Sequence, residues 1–231
     1  MDRKYSTILF DADNTLLNFD LDERQALIKT MTEYGVPVNE ENISTYVNIN
    51  KGLWKQLEKG EITKPELKRI RYKLFFDAIG FTTDVDSFEV NERYLHLLGE
   101  GGNTLEGAKE LCEELKNDGY DLYIVTNGVA ATQAKRLKKS GLLPFFSKIY
   151  VSDAVGFPKP KKEFFDYVLK EIPEKDKSRI LLVGDSLTSD IRGAMNAELD
   201  SAWLNMFGAE LTEGYETAYI IRDIKEVRNI L

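Results

Sequence analysis

The sequence predicts an α/β protein: a doubly wound parallel sheet with an all-helical block inserted after its first strand. Three observations carry this expectation. Three short apolar runs, Thr7–Phe10, Leu122–Val125 and Ile180–Val183, read as strands buried on both faces. Strand patterns then alternate with helical ones, which implies right-handed crossovers. Residues from about 17 to 95 break that rhythm, with four helical patterns and no good strand.

Each element follows from local pattern. TILF, at Thr7–Phe10, opens the sheet and runs into Asp11-Ala12-Asp13-Asn14-Thr15. Leu21–Tyr34, Ile43–Leu57, Pro65–Ile79 and Phe88–Leu98 read as helices, punctuated by Gly35-Val36-Pro37, Gly60 and Gly80. In Ala108–Asn117 the apolar residues fall at 108, 111, 112 and 115, and Gly119 stops the helix. Beyond it, helices are expected over Ala130–Ser140, Glu163–Glu171 and Asp190–Glu198, with weaker strands at Ile149–Ser152 and Ala202–Leu204. The expected domains are a core of residues 1–16 and 97–231 and a helical domain of residues 17–96.

Bulk chemistry excludes several functions. The net charge of −8 argues against nucleic acid, whose phosphates select clustered Lys and Arg. A single cysteine, Cys112, rules out an intrachain disulfide. No stretch approaches the roughly 18 apolar residues of a membrane span, and MDRKYSTILFDAD does not read as a signal peptide. The expectation is a cytoplasmic protein, a monomer or weak homodimer.

The polar residues follow the strands. Asp11 and Asp13 come after the first, Thr126-Asn127-Gly128 after LYIV, and Gly184-Asp185-Ser186 after ILLV. Ligands of open parallel sheets bind beyond the carboxyl ends of the strands. Residues two apart on extended chain point the same way, so Asp11 and Asp13 can face one ligand, although Asp and Asn also favour turns. Thr126 and Asn127 can cap a helix or expose N–H groups to an anion. Lys159, between Pro158 and Pro160, sits on a stiff segment. Asp190 can be an N-cap; Asp185, directly after a buried strand, has no such explanation.

Together, DADNT, TN, KP and GDSLTSD resemble, in order, the four motifs of the haloacid-dehalogenase-like hydrolases, a superfamily of aspartate-nucleophile phosphatases. The helical insert resembles their cap domain. Asn48-Ile49-Asn50-Lys51-Gly52-Leu53-Trp54, Gly60-Glu61-Ile62-Thr63, Phe19-Asp20 and Ala202-Trp203-Leu204-Asn205 are similar to the branch of pyrimidine 5′-nucleotidases.

The resemblance implies a phosphate monoester, in particular a nucleoside monophosphate, as substrate. Asp11 attacks phosphorus, and Asp13 gives a proton to the leaving oxygen and later takes one from water. Two anions about 4 Å apart repel by roughly 4 kcal/mol at an effective dielectric of 20. Asp11, Asp185 and a phosphate therefore need a divalent cation, and hard oxygen ligands favour Mg²⁺. The implied ligands are Asp11, the Asp13 backbone carbonyl and Asp185. Asp190 would act through water or by orienting its loop. Lys159 adds positive charge, and Thr126 with the Asn127 N–H would hold phosphate oxygens.

The insert would close over the sheet edge. Candidate substrate contacts are Asn18, Phe19, Lys51, Trp54 and Arg71, although Trp54 also suits a helix core and solvated faces also explain Lys51 and Arg71. His96 has no motif around it, and Cys112 lies on an apolar stripe. Alternatives within the fold are a dehalogenase, which would not need Asp13 or a metal; a phosphonate hydrolase, with Lys51 as Schiff-base lysine; and a sugar-phosphate phosphatase or phosphomutase. Outside it stands a non-catalytic phospho-ligand-binding protein, whose signature would be lost catalytic groups.

Overall fold

The computed structural model describes residues 3–231. Six strands, β1 (Thr7–Phe10), β2 (Asp121–Thr126), β3 (Lys148–Val151), β4 (Ile180–Gly184), β5 (Asp200–Leu204) and β6 (Tyr219–Ile221), form one sheet in the order β3-β2-β1-β4-β5-β6. Every neighbouring pair is parallel, with Phe10 opposite both Ile124 and Val183. All carboxyl ends therefore lie on one edge, and the residues just after β1, β2 and β4 meet there.

The continuous apolar runs serve two layers at once, because successive side chains on a strand face opposite ways. Ile8, Phe10, Leu122, Ile124, Leu181 and Val183 belong to one core cluster. Leu9, Tyr123, Val125 and Leu182 belong to the other, with Phe164, Phe165 and Val168.

The chain forms two compact units, one of Gly102–Leu231 with the N-terminal segment through Phe19, the other Asp20–Gly101. The helical unit thus starts and ends a few residues later than the expected 17–96. Its helices are α1 (Phe19–Glu33), α2 (Glu40–Lys59), α3 (Lys64–Ile79) and α4 (Ser87–Gly99). Their ends follow capping chemistry. Asn39 accepts the Asn42 N–H, Thr63 and Glu66 form a capping box, and Gly60 and Gly80 close α2 and α3 in the left-handed conformation.

The interior of this unit holds Tyr46, Tyr72, Phe75 and Tyr94 around a buried polar network. Arg71, expected as a substrate contact or a solvated residue, is buried. Its guanidinium donates to Asn91 Oδ1 and to Asn50 Oδ1, and Asn50 donates to Glu23 Oε1 at 2.6 Å. Trp54 packs against Leu53, Leu57 and Leu67, and Lys51 is exposed.

The sheet unit adds α5 (Ala108–Asn117), α6 (Ala130–Lys139), α7 (Ser152–Val155), α8 (Lys162–Glu171) and α9 (Arg192–Ala197). Where α8 and α9 cross, a Cβ on Gly193 would stand 2.4 Å from the Phe165 ring, so only glycine permits the approach. Cys112 lies on the buried side of α5, where burial pushes its thiol up to about 12. His96 is on the exposed side of α4, beside Glu100 at 3.2 Å. Two elements depart from expectation. The edge strand β6 is not foreseen, and the helix expected from Asp190 begins earlier, as a π-helical turn over Leu187–Ile191 capped by Ser186. Among the described residues, no helix is long and apolar enough to cross a membrane.

Candidate active site

Lys159 is the centre of the site. Its side chain is 1% exposed and all three ammonium protons are used. They go to Asp11 Oδ1 at 2.7 Å, Asp190 Oδ1 at 2.6 Å and the Val125 carbonyl at 2.8 Å. Asp11 reaches this point because β1 ends there, its own N–H still bonded to the Val183 carbonyl. The Lys159 backbone is clamped from both sides by one amide. Asn127 Oδ1 accepts its N–H at 2.8 Å, and Asn127 Nδ2 donates to its carbonyl at 2.9 Å. Asn127 was expected to act through its backbone N–H; its side chain has this further task.

Asp190 is not an N-cap. It lies inside the π-helical turn, fully buried, and its second oxygen accepts the Ser186 N–H at 3.1 Å. It thus holds the start of that turn and pairs directly with Lys159. Gly184 makes room for it, since a Cβ there would stand 2.4 Å from the Asp190 carboxyl. Asp185 is fixed through its backbone: Trp203 Nε1, one strand away on β5, donates to its carbonyl at 2.8 Å.

One carboxylate oxygen from each of Asp11, Asp185 and Asp190 lies within 4.8 Å of the others. Such a hard, all-oxygen set fits a divalent cation of the Mg²⁺ type. The electrostatics agree. Burial pushes the Asp11 carboxyl up to about 7, with Lys159 opposing and Asp190 and Asp13 adding to the rise. Burial, then the Asp11 and Asp190 charges, hold Asp185 well above the usual carboxylate range. Burial works against the Lys159 charge, but the two carboxylates overcome it and hold the ammonium above its ordinary value. The protein's own cations leave the acids under-compensated.

Asp13 faces a different neighbourhood. Arg136 and Gln133, both on α6, hold its two oxygens. Gln133 also donates to Thr126 Oγ1 at 3.1 Å, and that oxygen accepts the Gly128 N–H at 3.0 Å. With two bonds accepted, the Thr126 hydroxyl keeps its proton to donate. Sequence reasoning missed Gln133 and Arg136, because nothing local sets them apart from the exposed polar residues of the same helix, such as Lys135 and Lys138. Asn18 and Phe19 lie where the chain leaves the sheet unit. The Asn18 N–H donates to the Asn103 carbonyl at 2.8 Å, and the Phe19 ring has Arg136 Cζ 5.5 Å from its centroid. Asp11, Asp13, Asp185, Asp190, Thr126, Asn127 and Lys159 are thus linked around one edge of the sheet.

Comparison with known proteins agrees with this architecture. The haloacid dehalogenase-like hydrolase family model matches residues 5–198. The pyrimidine 5′-nucleotidase PynA of Streptococcus pneumoniae is 39% identical over 201 residues, covering 87% of this chain and 84% of its own. The pyrimidine 5′-nucleotidase YjjG of Escherichia coli is 33% identical over 228 residues, covering 99% and 98%. A magnesium-bound crystal structure of the HAD-hydrolase YfnB from Bacillus subtilis superimposes with a TM-score of 0.92 at 38% identity, covering 99% of each chain. By sequence, by sheet order and by the groups gathered beyond β1, β2 and β4, this chain belongs to the haloacid dehalogenase-like hydrolases.

Proposed function

We propose that the protein is a cytoplasmic, Mg²⁺-dependent phosphatase that hydrolyses phosphate monoesters through a phosphorylated Asp11, with pyrimidine nucleoside monophosphates as its preferred substrates. The observation that carries this reading is the buried Lys159 ammonium bridging Asp11 and Asp190, with Asp185 completing the acidic triad. The nucleotide preference draws support from the names of two relatives that align along most of this chain.

Asp11 Oδ attacks phosphorus, and the bond from phosphorus to the ester oxygen breaks as Asp13 gives that oxygen a proton. Water then attacks phosphorus, Asp13 takes up its proton, and the bond to Asp11 breaks, which frees inorganic phosphate. Proton transfer of this kind is worth about 10²–10⁴ in rate. Lys159 keeps Asp11 oriented and offsets part of the charge that the phosphate brings. Thr126 donates its hydroxyl proton to a phosphate oxygen, with the Asn127 N–H beside it. Asp11, Asp185 and the Asp13 carbonyl would hold Mg²⁺, which when bound supplies the positive charge that the four acids and the substrate lack. Asp190 stays on Lys159 and the Ser186 N–H. In this reading the helical unit is the cap domain, and Asn18, Phe19, Lys51 and Trp54 are the residues to vary for specificity.

The test is turnover of p-nitrophenyl phosphate with Mg²⁺ and with chelator, then kcat/KM for nucleoside monophosphates against hexose phosphates. Mg²⁺-dependent turnover that Asp11→Asn abolishes is expected, with uridine or thymidine monophosphate ahead of the sugars. Turnover by Asp11→Asn at the wild-type rate refutes the nucleophile assignment. A strong preference for hexose phosphates removes the nucleotidase reading and leaves the phosphatase.

A further inference from the structure

Helix α6 carries two buried polar side chains that the proposed chemistry leaves without a task. Gln133 and Arg136 are each 1% exposed. Three apart on a helix, they share one face. Gln133 Nε2 donates to Asp13 Oδ2 at 2.7 Å, and Arg136 donates to Asp13 Oδ1. Arg136 also donates to Gln133 Oε1 at 3.0 Å, so the two side chains lock each other. Gln133 further reaches Thr126 Oγ1, which ties the acid to the hydroxyl assigned to phosphate.

The backbone is shaped to allow this. A Cβ on Gly128 would stand 2.5 Å from Gln133 Nε2, so only glycine after Thr126-Asn127 lets the amide through.

A purely structural ion pair explains these contacts poorly. Burying an arginine and a glutamine costs rotamer freedom and desolvation. Asp13 does not need rescue from burial, because its side chain keeps 27% of its exposure. What the pair does is hold both carboxylate oxygens in one orientation while leaving the group open on one side.

We propose that Gln133 and Arg136 are positioning residues that aim the Asp13 carboxyl at the leaving-group oxygen. The inference rests on the assignment of Asp13 as the proton donor above. In the step concerned, the proton leaves Asp13 and bonds to the ester oxygen as that oxygen's bond to phosphorus breaks. The need for that proton depends on the leaving group. Phenolate is a poor one and requires protonation, whereas p-nitrophenolate departs readily without it, and the two esters are nearly the same shape.

The full-length chain, with Mg²⁺, is assayed on phenyl phosphate and p-nitrophenyl phosphate as wild type, Arg136→Met, Arg136→Lys and Gln133→Met. For the Met variants kcat on phenyl phosphate should fall about 100-fold, within the range of proton-transfer catalysis, and on p-nitrophenyl phosphate about threefold. KM should change little for either ester, and Arg136→Lys should recover most of the loss. If Arg136→Met fails to fold by circular dichroism, Gln133→Met decides alone. Equal losses on the two esters, with an active wild type, overturn this inference and leave the phosphatase reading intact. A wild type inactive on both overturns the two together.

Discussion

Replacing Lys159 by Met keeps most of the length of the side chain and removes the charge that two buried carboxylates share. At 2.7 and 2.6 Å, each pair has a gross attraction of roughly 6 kcal/mol at an effective dielectric of 20. Burial of the three charges cancels most of this. What remains after one partner is removed is the cost of stranding the others, roughly 3–5 kcal/mol. That cost depends on pH in a definite direction. The folded Asp11 carboxyl already stands at about 7 with Lys159 beside it, against about 3.9 in an unfolded chain. The folded state therefore holds the extra proton, and this contribution is full below pH about 4 and is lost as pH rises. In the wild type the loss ends near pH 7. In Lys159→Met the folded Asp11 titrates higher still, so stability keeps falling above pH 7, by about 1.4 kcal/mol per pH unit. The assay is urea unfolding in chelator at pH 6.5 and 8.5. Carrying it out in a Trp54→Phe background leaves Trp203 as the sole tryptophan, a reporter of the sheet unit. A loss below about 1 kcal/mol, equal at both pH values, would refute the reasoning, because the variant would then strand no buried charge.

Three further outcomes follow from other parts of the molecule. Glu23, pushed up to about 7 chiefly by burial from an ordinary 4.5, should cost the helical unit about 3 kcal/mol of stability as pH rises from 4.5 to 7; Glu23→Gln should flatten that slope in urea titrations followed by Trp54 fluorescence, and an unchanged slope rejects the assignment. Gly193→Ala should lower stability by about 1–3 kcal/mol, since its Cβ meets the Phe165 ring at 2.4 Å; a melting temperature equal to the wild type's would show that α8 and α9 yield freely. Trp203→Phe removes the N–H that holds the Asp185 carbonyl, together with part of a buried ring, and should weaken Mg²⁺ binding about tenfold by calorimetry; unaltered affinity in a folded variant would mean that Asp185 is placed by its strand alone.

Much was readable in one dimension. Apolar runs of strand length, each followed at once by small polar or acidic residues, required a parallel sheet with its chemistry along one edge, because a buried strand end is where acids appear only with a purpose. Gly60 and Gly80 marked helix ends because the left-handed conformation they adopt there is a local property, whereas the caps at Asn39 and Thr63 came only with the structure. The short strand β6 escaped notice because three edge residues, one partly buried, one exposed and one buried, carry no pattern. The π-helical turn escaped because Asp190 looks like any N-cap until Ser186 is seen to cap instead.

What the chain could not disclose on its own is pairing across long separations. Asp11 and Lys159 are 148 residues apart, and Asp13 and Arg136 are 123 apart. Nothing near Arg71 or Arg136 distinguishes a buried guanidinium from a solvated one, because local pattern reports which face is apolar and not which charge has found a partner. Residue order was enough to fix strand ends, helix ends and the kinds of group at the site. Which acid meets which base, and hence which groups charge and which stay neutral, was settled only when folding brought the sheet edge together and removed the water between them.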